Sequence, residues 1–252
     1  MHSSLIHKFT LLNDDTSVKS TYQSYRTDTP QNSPDLILFN ILLTYFLRTK
    51  QSHDSLHTLH ELDKHDLSPD SYTATAVIYG LVQNGETASA EPTSLRLLRN
   101  KIPLSIHAVT ALITGLSHNR DAIGMMRWIR AILLPYPPFQ IPRSSLEELA
   151  ALSRVPVEDV PTLLNQHAEV LGQLSGIVPD YKFYSTCVIG FLRTCALECA
   201  DAMVRYMVEH RVDGVQDGRV LVLMDRVCAA WNRCGKEDRG ESLRELCTKE
   251  SK

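Results

Sequence analysis

Residues 34–70 read PDLILFNILLTYFLRTKQSHDSLHTLHELDKHDLSPD, and they open and close on one tripeptide, Ser33-Pro34-Asp35 and Ser68-Pro69-Asp70. Between the prolines, Leu36, Phe39, Leu42, Leu43 and Phe46 recur at steps of three and four, the spacing that lines apolar side chains along one helix face. Leu56, Leu59 and Leu62 repeat the spacing after a polar break from Arg48 to His53. Pro69 lacks the N–H that a helix interior needs, so the second helix ends before it. The stretch therefore predicts two helices in one unit that closes as it opened, the form of a repeat.

The unit recurs on both sides. Pro34 and Pro69 stand 35 residues apart, Pro69 and Pro103 34, and IPLSIHAVTALITGL (102–116) restates SPDSYTATAVIYGL (68–81). After Pro103 the period stretches to Pro142, with Tyr136-Pro137-Pro138 inserted, and VPDYKFYSTCVIGFL (178–192) restores it at Pro179. Unit changes are expected near Pro34, Pro69, Pro103, Pro142, Pro179 and Gly214. Residues 1–33 read as a degenerate or truncated first repeat with a loop. Leu5, Ile6, Phe9 and Leu12 form one candidate helical face there, and Val18, Tyr22 and Tyr25 another. Residues 34–141 hold three repeats and 142–178 a degenerate helical pair; 179–252 hold two repeats, the last a cap. In the degenerate pair Ser145 and Glu148 have capping-box spacing, and Asp159 before Val160-Pro161 marks a helix start. Pro92, inside a helical pattern, is expected to delay or kink that helix.

Each pair has an apolar face that only its neighbour can cover, so the predicted fold is all-α: a right-handed α-solenoid of stacked antiparallel helix pairs. Composition agrees, at 43% hydrophobic, 22% charged and 7% aromatic, with few alternating Val/Ile/Thr runs. Apolar runs such as Leu36–Leu47 fall short of the roughly 20 residues of a membrane span, so no membrane partner is expected. Cys187, Cys195, Cys199, Cys228, Cys234 and Cys247 show no CxxC pairing and read as reduced intracellular thiols. The segment MHSSLIHKFTLLNDD meets Asp14 and Asp15 too early for a good transit peptide.

No catalytic constellation stands out. His53, His57 and His60 fall on one helical face and suit zinc, but they flank Leu56 and Leu59 and equally suit a solvated side. His60 and His65 are five apart, about 140° around a helix, and cannot chelate as an i, i+4 pair does. Glu147 and Glu148 are adjacent and read as a solvated first turn. No glycine-rich phosphate loop or nucleophile elbow occurs, so neither an enzyme nor a cofactor or metal is expected.

The frames PDLILFNILLTYF, PDSYTATAVIYGL and VPDYKFYSTCVIGFL, with the closing HDLSPD and NRCGK, resemble the pentatricopeptide repeat family. The tetratricopeptide framework of Trp, Leu, Gly and Tyr is missing. The resemblance implies recognition of single-stranded RNA, one base per repeat, by one side chain early in the first helix and one at the end of the unit. On this frame Asn40 pairs with Asp70, a uracil-leaning combination, and Asn40 is expected at the groove edge with its amide free and Asp70 close by. Thr75 pairs with Ser105, nearer the purine-leaning type. Thr110 pairs with a residue near Gln140, Ser185 meets Val215, and Val220 departs from the pattern. Ile37, Tyr72, His107 and Lys182 hold the position that packs between bases. The resemblance also implies an organellar, mitochondrial role in RNA processing, stability or translation, the chain otherwise being cytoplasmic.

Charge pulls the other way. Twenty-six Lys and Arg face 29 Asp and Glu, a net charge of -3, although Arg96, Arg99 and Lys101, or Arg120, Arg127 and Arg130, form local basic groups. Two readings stay open: a small RNA-binding solenoid, and a solenoid adaptor holding a protein segment on the same face.

Overall fold

The computed structural model describes residues 2–12, 14–28, 36–136, 139–212 and 219–250, and among them every regular element is a helix. By its internal contacts the chain divides into two compact units, residues 1–108 and 109–252.

The first unit holds three helix pairs: α1 (His2–Leu12) with α2 (Asp15–Asp28), α3 (Leu36–Arg48) with α4 (Ser52–Lys64), and α5 (Ser71–Gln83) with α6 (Thr87–Arg99). First helices pack on first helices, α1 on α3 and α3 on α5. The apolar stripe of residues 34–46 explains why. Leu38, Leu42, Tyr45 and Phe46 are buried against Ile6 of α1 and Val18 of α2, and Leu43 and Phe39 are buried as well. Each such side chain contributes about 1.5–3 kcal/mol relative to an exposed one, and no single pair offers enough area to hide it. Phe9 and Tyr22 pack partly on this core, but Leu12 is exposed, so the expected α1 face narrows at its end. Lys19 on α2 joins the second helices by an ion pair to Asp54 of α4 at 2.8 Å.

Pro69 and Pro103 sit in the extended connections after α4 and α6, whereas Pro34 and Gly214 lie outside the described residues. Pro92 does not delay the helix: α6 begins at Thr87 and runs through the proline to Arg99. The ring is exposed, so the carbonyl one turn earlier, deprived of its N–H partner, is on a side that water reaches. Close packing has its own marker at Gly80 in α5, where an added Cβ would lie 2.7–2.9 Å from the side chain of Leu47 in α3.

The second unit begins within α7 (Ile106–His118), followed by α8 (Ala122–Leu133) and α9 (Arg143–Ser153). The degenerate stretch is built of short elements: two 3-10 turns, Val157–Asp159 and Gly172–Leu174, alternate with α10 (Val160–Leu164) and α11 (Ala168–Leu171). The chain regains full helices in α12 (Tyr181–Arg193), α13 (Leu197–Glu209), α14 (Arg219–Arg233) and α15 (Glu237–Glu250), with α12 against α13 and α14, and α14 against α15. Buried Arg127 anchors the degenerate stretch, its Nε donating to the carbonyl of Leu163 at 3.1 Å.

Two expectations fail at α9. Ser145 and Glu148 do not form a capping box, since the residue before the helix is Pro142 and no side chain caps it. Ser145 is buried, and Glu148 is no solvated first-turn residue. Its carboxylate accepts the backbone N–H of Glu198 at 3.0 Å and of Cys199 at 3.1 Å, which caps α13 from another helix. Burial raises its pKa against the lowering effect of those donors. Glu147 instead meets Arg143 Nε at 3.1 Å on the surface.

Candidate functional site

Because α3 and α5 lie side by side, the fifth residue of α3 reaches the residue that precedes α5. Asn40 Nδ2 donates to Asp70 Oδ1 at 3.1 Å. Asp70 is at the same time the N-cap of α5: its Oδ1 accepts the backbone N–H of Thr73 at 2.9 Å, and its own N–H donates to Thr73 Oγ1. The Thr73 hydroxyl stands 2.7 Å from Asn40 Oδ1 and 3.0 Å from Asp70 Oδ1, with one proton for the two. Asn40 and Asp70 are thus together, as the repeat frame expects, but the amide of Asn40 is not free. It keeps one N–H and one carbonyl lone pair uncommitted to these partners. Partial burial raises the Asp70 pKa, yet the donors from Thr73 and Asn40 outweigh it and hold the carboxyl below the usual range.

Thirty-five residues on, the arrangement recurs with hydroxyls. Thr75 Oγ1 donates to the carbonyl of Ser71 at 2.6 Å and lies 2.8 Å from Ser105 Oγ, which accepts the N–H of Ala108 at 3.2 Å. With the Thr75 proton on the Ser71 carbonyl, Ser105 is the donor between the two hydroxyls. Protons therefore run one way: Ala108 N–H to Ser105, Ser105 to Thr75, Thr75 to Ser71.

Asn40, Asp70 and Thr75 border one groove of about 650 Å³. Ile37 and Tyr72 stand over it, 65% and 75% exposed, and Ile41, Tyr45 and Ala76 line it more deeply. Exposed apolar side chains of this size beside polar pairs form a surface onto which flat rings can stack. Arg48 closes one end: its Nη2 donates to the carbonyl of Thr10 at 2.6 Å, and its guanidinium lies 5.9 Å from the Tyr45 ring. The sequence reading missed two of the exposed walls, Leu11 of α1 and Tyr79 of α5. Tyr79 was findable, since it follows Tyr72 by seven residues, two turns along the same face. Leu11 was not, because no repeat signature precedes Pro34.

The remaining expected residues are not assembled in this way. Thr110 is buried, at 7% exposure, while Gln140 is exposed on the connection before α9, so they do not share a surface. Ser185 Oγ donates to the carbonyl of Lys182 at 3.0 Å within α12, Val215 lies outside the described residues, and Val220 is buried in the core. His107 and Lys182 are exposed. Of the α4 histidines, His57 and His60 are exposed, while His65, just past the helix, lies 4.0 Å from buried Glu61 with its ring 5.9 Å from that of Phe39. Among the described residues no three His, Cys, Asp or Glu side chains gather as metal ligands, and no helix is long and apolar enough to cross a membrane.

No family model and no curated protein matches the chain. Solved structures do share its fold. The crystal structure of the pentatricopeptide repeat protein PPR10 from maize matches with a TM-score of 0.62 and 14% identity over 99% of this chain. The structure of PPR10 in complex with an 18-nt psaJ RNA element matches at 0.57 and 14% over 98%. The chain spans 29–30% of the length of these proteins. Its fold is that of a pentatricopeptide-type helical repeat protein.

Proposed function

We propose that this chain is a single-stranded RNA-binding protein of the pentatricopeptide type, that bases seat in the groove of the first unit, and that it serves organellar, mitochondrial, RNA processing, stability or translation. The observation that carries this reading is the placement of two exposed stackers, Ile37 and Tyr72, in one groove with the Asn40–Asp70 pair and the Thr75 hydroxyl. PPR10, whose fold the chain shares, has been crystallised with RNA. A base lying on Tyr72 gains roughly 1–3 kcal/mol from stacking whatever its identity. Its edge then meets the polar pair. At Asn40 and Asp70 the remaining amide N–H and the carboxylate Oδ2 offer one donor and one acceptor, which fits the O4 and N3–H of uracil.

Binding of a short U-rich oligonucleotide to wild type and Tyr72→Ala, measured at low and high salt, tests the proposal. The expected result is wild-type binding that weakens with salt and a loss of roughly 1–3 kcal/mol in the variant, whose melting temperature is unchanged because Tyr72 is exposed. Equal affinities would remove the groove from the reading. No wild-type binding at low salt would favour the adaptor role, with a protein segment on this face.

A further inference from the structure

In the second unit Thr110 and Val220 are buried, and Ser185, whose proton goes to the Lys182 carbonyl, has among the described residues no polar partner across repeats like that of Thr75. One of its first helices nonetheless carries a line of arginines. On α14, Arg219, Arg226 and Arg233 recur every seven residues, two turns or about 10 Å apart along one edge. That edge faces α12. The Arg219 guanidinium lies 4.6 Å from the ring of Tyr181, whose hydroxyl donates to the Arg219 carbonyl, and Arg226 and Arg233 line a groove of about 460 Å³ with Leu192 of α12. Asp225, the only acid on α14, is turned about 100° away from Arg226. Among the described residues no carboxylate pairs with Arg226 or Arg233, and both are exposed. Each side chain has an unspent guanidinium fork, the group best suited to a phosphate. Cations that a chain of net charge -3 sets together on one groove, without internal partners, mark where a polyanion is held.

From this we infer that the α12–α14 groove of the second unit is a phosphate-binding surface that holds the backbone of the single strand irrespective of sequence, through Arg226 and Arg233. The inference rests on the RNA reading above and divides the labour: base discrimination in the first unit, backbone grip in the second. Cys195 and Cys234 border the same groove and are exposed, whereas Cys187, Cys199 and Cys228 are buried, so the groove contains its own reporters of occupancy.

The test measures the affinity of the full chain for U-rich and A-rich oligonucleotides of equal length against salt, for wild type, Arg226→Ala/Arg233→Ala and Tyr72→Ala, with melting curves for each. Losing two phosphate contacts should make the slope of log K on log salt shallower by roughly 1.4, equally for both sequences. Tyr72→Ala should weaken binding at unchanged slope. Alkylation of Cys195 and Cys234, followed by peptide mass mapping, should be slowed by RNA in wild type and much less in the double variant. A wild type that binds RNA while the double variant keeps its slope and its thiol protection overturns the inference and leaves the RNA reading standing. A wild type that binds no RNA overturns both.

Discussion

Asp70 has two tasks at once, as the N-cap of α5 and as the acceptor for Asn40, and its negative charge strengthens both. Asp70→Ala removes the cap and should lower stability by about 1 kcal/mol, read from chemical denaturation. The pH dependence follows from the direction of the pKa shift. The folded-state pKa lies below the ordinary carboxylate value, so the contribution is complete above about pH 4 and disappears as pH falls through the depressed value. Denaturation midpoints of wild type and Asp70→Ala should accordingly differ at pH 7 and converge toward pH 2; a constant difference would show that the charge is immaterial. The proximity of Asn40 and Asp70 was legible in the sequence because thirty residues separate them inside a known period. That Asn40 is already bonded was not, since the decisive partner is the hydroxyl of Thr73, a residue that the pattern treats as part of a helix face.

At the level of elements, the regular pairs were readable from apolar spacing and proline placement: α4 stops before Pro69 and α6 before Pro103. The stretch 143–178 was readable only in outline. Its helices are held by long-range polar contacts, Arg127 to Leu163 and Glu148 to the start of α13, which no local pattern announces. These contacts matter most where local helix length is shortest. Glu148→Ala leaves the N–H groups of Glu198 and Cys199 without their acceptor, at a cost of roughly 1–3 kcal/mol if they stay dry. Amide hydrogen exchange should then accelerate in the first turn of α13 while α3 to α5 remain as in wild type. Uniform acceleration throughout the chain would mean that Glu148 supports more than this helix end.

For the whole molecule, the all-α class was evident from the sequence because each unit repeats one apolar pattern, and 99% of the chain shares the fold of PPR10 at only 14% identity. The division of polar chemistry was less evident. Net charge hides it, because the arginines of α14 are outnumbered in the total. One further consequence lies in the direction of the protons from Ala108 through Ser105 and Thr75 to Ser71. Every hydrogen in that circuit is already assigned, so the Thr75–Ser105 pair shows an incoming molecule lone pairs alone, while Asn40 still has a hydrogen to give. If the groove takes RNA as proposed, the two positions differ in sign: Asn40 can meet a donor or an acceptor edge, whereas Thr75 and Ser105 accept only, from the exocyclic amino group of adenine, cytosine or guanine or from the ring N–H of uracil or guanine. Uridine at a single site should therefore bind the wild type better than N3-methylated uridine, which lacks the ring donor, and Thr75→Asn, which brings a hydrogen of its own, should narrow the difference. The array would then be a filter whose successive openings differ in polarity, set by hydroxyl orientation in the unliganded fold.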